Sequence, residues 1–136
     1  MNKIILYSQE NGNLGVCIPT GELSVEQTRD KDCPNGIIVD ASVFNTIDND
    51  FYDAYELINS KPKVNILKAK KITKKRLRIE RKELLEEQDI LFQRNLENNI
   101  DNSIVISEKQ RLRDITKLVD ETNTLEELKK IKVSKE

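Results

Sequence analysis

The chain has 136 residues, room for one ordinary domain or for a small module with a helical extension. Charged residues make up 35% and hydrophobic residues 37%, with three Phe, three Tyr and no Trp. That composition excludes a deep aromatic core along the whole length and points to Leu/Ile seams, or to a partner, for stability. There is no His, which removes the imidazole base of an ordinary Ser or Cys triad. Two cysteines without His also exclude the usual four-ligand zinc pattern within one chain.

The net charge of −1 conceals an asymmetry. Residues 1–60 carry 3 basic and 10 acidic side chains, and residues 61–136 carry 20 basic and 14 acidic. Such halves read as separate modules, or as surfaces that attract each other within or between chains. The break falls at Ser60-Lys61-Pro62-Lys63, which sets the expected boundary between a 1–60 module and a 61–136 module. Cys17 and Cys33 are expected to be free thiols in a reducing compartment, because no signal peptide is recognisable in the opening residues. No stretch has the length of a membrane span.

In chain order, Lys3 to Tyr7 is a run of strand formers, Glu10-Asn11-Gly12-Asn13 a turn, and Leu14 to Ile18 the returning strand,. Ser24-Val25-Glu26-Gln27 has the form of a capping box and opens a short helix to about Lys31,. Asp32-Cys33-Pro34-Asn35-Gly36 is a turn before the apolar strand Ile37 to Asp40, and Asp48-Asn49-Asp50 punctuates again,. Phe51 to Ile58 fits a helix face through Phe51, Ala54, Tyr55 and Ile58, and a strand face through Phe51, Tyr55 and Leu57,. From Val64 to Leu96 there is no Gly or Pro and Lys, Arg, Glu and Leu dominate, which predicts one long helix,. Leu77, Leu84 and Leu91 recur every seven residues with Leu85, Gln88 and Phe92 beside them, giving a narrow apolar seam as in a helical hairpin,. Asn98 to Asn102 breaks this helix. A second follows from Ser103 or Ser107, with Leu112, Ile115, Leu118 and Val119 on one face. Thr124-Leu125-Glu126-Glu127 opens a short last helix with Leu125, Leu128 and Ile131 inward, and the chain frays from Ser134,. The predicted class is therefore α+β, a small antiparallel β-rich N-terminal module followed by a long α-helical hairpin.

Two segments carry a resemblance. Asp32, Pro34 and Gly36, then Val39-Asp40 and Ser42, then Asp50-Phe51 with Ala54 and Glu56, resemble the N-terminal module of many small bacteriophage proteins encoded near tail-fibre and late structural genes. Cys33 stands where that module usually has Val, and Tyr55 where it has Trp. The resemblance implies a strand over Phe51 to Leu57. Leu77-Arg78-Ile79-Glu80-Arg81-Lys82-Glu83-Leu84-Leu85 with Asp89, and then Leu112-Arg113-Asp114, resemble the two helices of the phage tail assembly chaperone-like family. Ile90 replaces the aromatic residue usual after the Asp, and the family's Pro-rich end is missing. The resemblance implies a phage protein more firmly than it implies chaperone activity.

The residues give that helix pattern a physical reading. Arg78 and Arg81 would reach acidic groups on a returning helix, with Leu84 and Leu85 at the contact. Asp89 and Asp114 would each pair with an Arg across the hairpin. The competing reading is a set of exposed ion pairs worth little each. With Leu77, Leu91, Phe92, Leu112 and Arg113, these residues form the candidate partner-binding surface.

Other constellations are weaker. Nine cations lie between Lys68 and Lys82 against the single acid Glu80. A helix spreads them around its circumference, so a solvated surface is favoured over nucleic-acid contact, and no aromatic accompanies them for base stacking. Asp48, Asp50, Asp53 and Glu56 lack the spacing of an EF-hand and read as turn formers. Gly12, Gly15, Gly21 and Gly36 form no phosphate loop. The expected function is that of a non-enzymatic bacteriophage structural or morphogenesis protein, tail- or tail-fibre-associated, in the virion or in the host cytoplasm during assembly. It would use no cofactor or metal. Its partners would be other phage structural proteins or further copies of itself, with no membrane. The alternatives are a capsid decoration protein or a nucleic-acid-binding accessory factor using residues 68–82.

Overall fold

The computed structural model describes residues 2–134, so the expected fraying lies partly outside the described residues, at 135–136. The chain is α+β, with short antiparallel strands first and a long helix after them. It divides into two compact units, Met1–Ala69 and Lys70–Glu136.

In the first unit, β1 (Lys3–Ser8), β2 (Leu14–Cys17) and β3 (Ile37–Asp40) form an antiparallel sheet in the order β2-β1-β3. The β1–β2 turn closes through the Gln9 N–H to the Asn13 carbonyl at 2.8 Å, with Gly12 at φ +84°. Ile4, Ile5 and Leu6 are all buried. Successive strand residues point to opposite faces, so β1 is covered on both sides. Helix α1 (Val25–Asp32) contacts β1 and β3, and β4 (Tyr55–Ile58) contacts β1 and β2. The capping box of α1 is complete: the Gln27 N–H donates to Ser24 Oγ and the Ser24 N–H to Gln27 Oε1,. Gly15 pairs with Tyr7 across β1–β2, and the Tyr7 ring occupies the space a Cβ would need.

The strand expected over Phe51 to Leu57 is shorter than that. Residues Asn49–Ala54 form two short 3-10 turns that meet at a kink at Phe51 (φ −120°, ψ 23°), and only Tyr55–Ile58 are extended. Asp48 decides this, because its carboxylate accepts from the Asp50 N–H at 3.1 Å and caps the first turn,. Phe51 and Ala54 are both buried in the core. Tyr55 Oη then accepts from the Asp48 N–H at 2.9 Å and holds the turn against its own base. Another 3-10 turn, Ala41–Thr46, is capped in the same way by Asp40 through the Ser42 N–H.

Ser60-Lys61-Pro62-Lys63, where the charge changes sign, lies inside a hairpin. β4 pairs with β5 (Lys61–Val64) around a two-residue turn, with Asn59 at φ +52° and Ser60 at φ +64°. Both central residues in left-handed conformation give the tight turn that suits strand twist. Pro62 is tolerated because this sheet has only two strands, both edges,.

Helix α2 (Ile66–Glu97) starts where Asn65 Oδ1 accepts from the Leu67 N–H at 3.0 Å. At 1.5 Å per residue its 32 residues span about 48 Å,. It ends through Asn99 at φ +57°, with the Ile100 N–H returning to the Asn95 carbonyl,. Buried Asn102 closes the corner: its amide donates to the Phe92 carbonyl at 3.2 Å and its Oδ1 accepts from Asn95 at 2.9 Å. Helices α3 (Ser103–Asp114), α4 (Lys117–Asp120) and α5 (Leu125–Lys130) follow.

The core of this second unit includes Leu77, Leu112, Ile115, Val119 and Leu128. Leu118, expected on the inward face, is 50% exposed. Steps of three and four from Leu112 lead through Ile115 to Val119, and leave Leu118 about a third of a turn away.

Candidate interaction surface of the helical unit

The seam on α2 begins at Leu77, which is fully buried, and continues through half-buried Leu84, Leu85 and Phe92. Leu91 leaves it and is 42% exposed. A straight helix turns every 3.6 residues, so a strict seven-residue repeat drifts by about 20° per repeat. Over the two repeats from Leu77 the drift reaches about 40°, which carries Leu91 toward the edge of the seam, while Phe92 is half-buried.

Arg78 and Arg81 part company. Arg78 is exposed. Arg81 is half-buried, and its Nη1 donates to the carbonyls of Leu112 and Arg113 at 3.2 and 2.9 Å. The expected acidic acceptor is thus replaced by the last carbonyls of α3, which have no partner within their own helix. The Arg113 side chain is exposed, and its contribution to this contact is its carbonyl. Leu112 is buried beneath.

Neither aspartate meets an Arg. Asp89 pairs across the hairpin with Lys109, whose ammonium also lies 5.1 Å from the centroid of the Phe92 ring. Asp114 stays on its own side of the hairpin, accepting from Gln110 at 2.9 Å and from Lys117 at 3.0 Å. Those two contacts, Gln110 first, hold its carboxyl below the usual range.

Arg81 belongs to a wider pattern that the sequence reading missed. Arg76 Nη2 donates to the carbonyls of Leu128 and Ile131 at the end of α5, at 3.3 and 2.9 Å. Lys70 donates to the Asp120 carbonyl at the end of α4, and Lys74 pairs with the Asp120 carboxylate at 2.7 Å. The cations of α2 therefore terminate three short helices, where carbonyls with spare acceptor capacity and the negative end of the helix dipole favour positive charge. The available signal was a set of short helices without a C-terminal Gly, facing a helix rich in Arg and Lys.

Around the α2–α3 corner lie large apolar side chains with no such use. Ile90, Leu96, Ile100 and Ile106 are each more than half exposed, and Ile104 is 84% exposed. In the first unit, Glu56 pairs with Lys68 at 2.7 Å, and that contact, with the Asn65 amide behind it, holds its carboxyl down. Cys17 and Cys33 are free thiols, and burial above all, with Cys17 adding to it, pushes Cys33 up to about 11. Among the described residues, no group of three or more His, Cys, Asp or Glu side chains is placed to hold a metal ion. No helix among them is long and apolar enough to cross a membrane.

No protein-family model, curated protein or solved structure matches the chain.

Proposed function

We propose that this chain is a non-enzymatic structural or morphogenesis protein of a bacteriophage, tail- or tail-fibre-associated, that works through protein–protein contacts. The observation that carries the reading is the set of large apolar side chains left exposed around the α2–α3 corner, Ile104 the most open of them. Exposed aliphatic side chains that a partner can cover commonly mark docking sites, and we read the corner as one. The resemblance of the Asp32-to-Glu56 segment and of the Leu77-to-Asp89 helix to small phage tail-region proteins supplies the setting. In that setting the corner docks on other phage structural proteins, in the virion or in the host cytoplasm while particles assemble.

Quantitative mass spectrometry of purified mature particles, paired with deletion of the gene, tests this. A stoichiometric copy number marks a permanent component. Absence from particles, combined with failure to form them after deletion, marks an assembly factor. Normal particles after deletion, with none of the chain in wild-type particles, would overturn the proposal.

A further inference from the structure

Nine cations lie between Lys68 and Lys82, and the structure sorts them into two groups. Lys68, Lys70, Lys74, Arg76 and Arg81 are engaged, on Glu56, on Asp120, or on the carbonyls that end α3, α4 and α5. Lys71, Lys75, Arg78 and Lys82 are all exposed and have no hydrogen-bond or ion-pair partner among the described residues. These four are spaced by four, three and four positions. At about 100° per residue they fall within an arc of about 60°, and the helix rise sets them about 6, 4.5 and 6 Å apart along the axis. Glu80, the one acid in the segment, lies on the far side of the helix, where Arg76 holds it. Glu86, one turn beyond Lys82, marks the end of the stripe.

We infer that Lys71, Lys75, Arg78 and Lys82 form a phosphate-tracking stripe that binds the backbone of nucleic acid without reading its sequence. A straight row of cations a phosphate step apart suits a phosphodiester chain, whose affinity rests on charge neutralisation and counterion release. An acidic protein surface is a poorer fit. Protein interfaces have an apolar centre with charge at the rim, whereas the exposed apolar side chain of this segment, Ile79, flanks the arc about 40° beyond its edge and does not centre it,. The stripe also lacks an aromatic residue, so it offers bases nothing to stack on. The inference is independent of the docking role of the α2–α3 corner, which uses other residues.

Binding of the full chain to a short mixed-sequence DNA duplex, followed by fluorescence anisotropy over a salt series, tests it. Four phosphate contacts give a slope of log K against log salt of about −3.6, or about a 150-fold loss for a fourfold rise in salt. Each of K71Q, K75Q, R78Q and K82Q reduces that slope by about 0.9, while K70Q and K74Q leave it unchanged. The quadruple variant loses salt-dependent binding and keeps its circular dichroism spectrum. Should the quadruple variant melt early, the single variants still decide, since each removes one exposed side chain. No binding at low salt, or a slope indifferent to all four substitutions, overturns the inference. So does polyglutamate binding that is tighter than duplex binding and lost in the same variants, which would assign the stripe to an acidic polypeptide.

Discussion

Lys109 on α3 is shared between two groups of α2, the Asp89 carboxylate and the Phe92 ring 5.1 Å from its ammonium. Its side chain is only 17% exposed, against 61% for Asp89. The ammonium is therefore the sheltered partner and the carboxylate the screened one. In a double-mutant cycle read by chemical denaturation, D89N and K109M should couple by less than about 1 kcal/mol. K109M alone should cost more than D89N, since it also removes a cation–π contact worth about 0.5–1 kcal/mol. A coupling of several kcal/mol would contradict this.

Two arginines three positions apart should behave very differently. Arg81 satisfies two carbonyls at the end of α3, so R81M should lower unfolding stability by about 1–3 kcal/mol. R78M, at an exposed position, should stay within about 0.5 kcal/mol of the parent chain. Equal losses in thermal or urea melts would show that α3 is not closed by Arg81.

The drifting seam predicts unequal leucines. Leu77 is fully buried, and L77A should cost about 2–5 kcal/mol. Leu91 is 42% exposed, and L91A should cost less than about 1 kcal/mol. A comparable loss at both positions would restore the strict seven-residue seam.

Acid should weaken both units, in part through one carboxylate in each that a lysine holds down. Glu56 is held below its ordinary value of 4.5 chiefly by the hydrogen bond from Lys68, and Asp120 below 3.8 chiefly by the one from Lys74. A carboxyl lowered in the folded state contributes its stability above the unfolded value and loses it as pH falls through the folded one. Melting temperature should therefore fall on acidification below about pH 5, and E56Q and D120N should each flatten that fall. An unchanged pH profile in both variants would show that these pairs do not couple to folding.

The two thiols should differ in reactivity. Burial pushes Cys33 up to about 11, so near neutral pH it holds almost no thiolate, the reactive form. Cys17 is less buried. Peptide mapping after brief alkylation of the native chain should find Cys17 modified first, and Cys33 only when unfolding exposes it. Faster labelling of Cys33 would reverse that order.

Much of the architecture is legible in the residues because it rests on local chemistry. The Ser24/Gln27 capping box, the Gly12 turn, the β1–β2 hairpin and the uninterrupted 66–97 helix each depend on side chains within a few positions of one another. Where local signals conflict, the reading is less complete. Asp48 turned half of the Phe51 strand into 3-10 turns, and an Asn-Ser turn without glycine hid the β4–β5 hairpin in the stretch read as the boundary between the two modules. The contacts within the hairpin were legible as residues and not as bonds. Arg81, Asp89 and Leu112 do meet across the hairpin, while Arg78, Leu91 and the Asp114 carboxylate do not cross it.

By itself the sequence determined the α+β class, the position of the long helix and its excess of cations, since propensity, capping and charge are properties of neighbouring residues. Only the tertiary structure decided which cations are engaged and which remain open. That choice depends on where the carbonyl ends of α3, α4 and α5 come to rest, and those acceptors are brought within reach by folding alone.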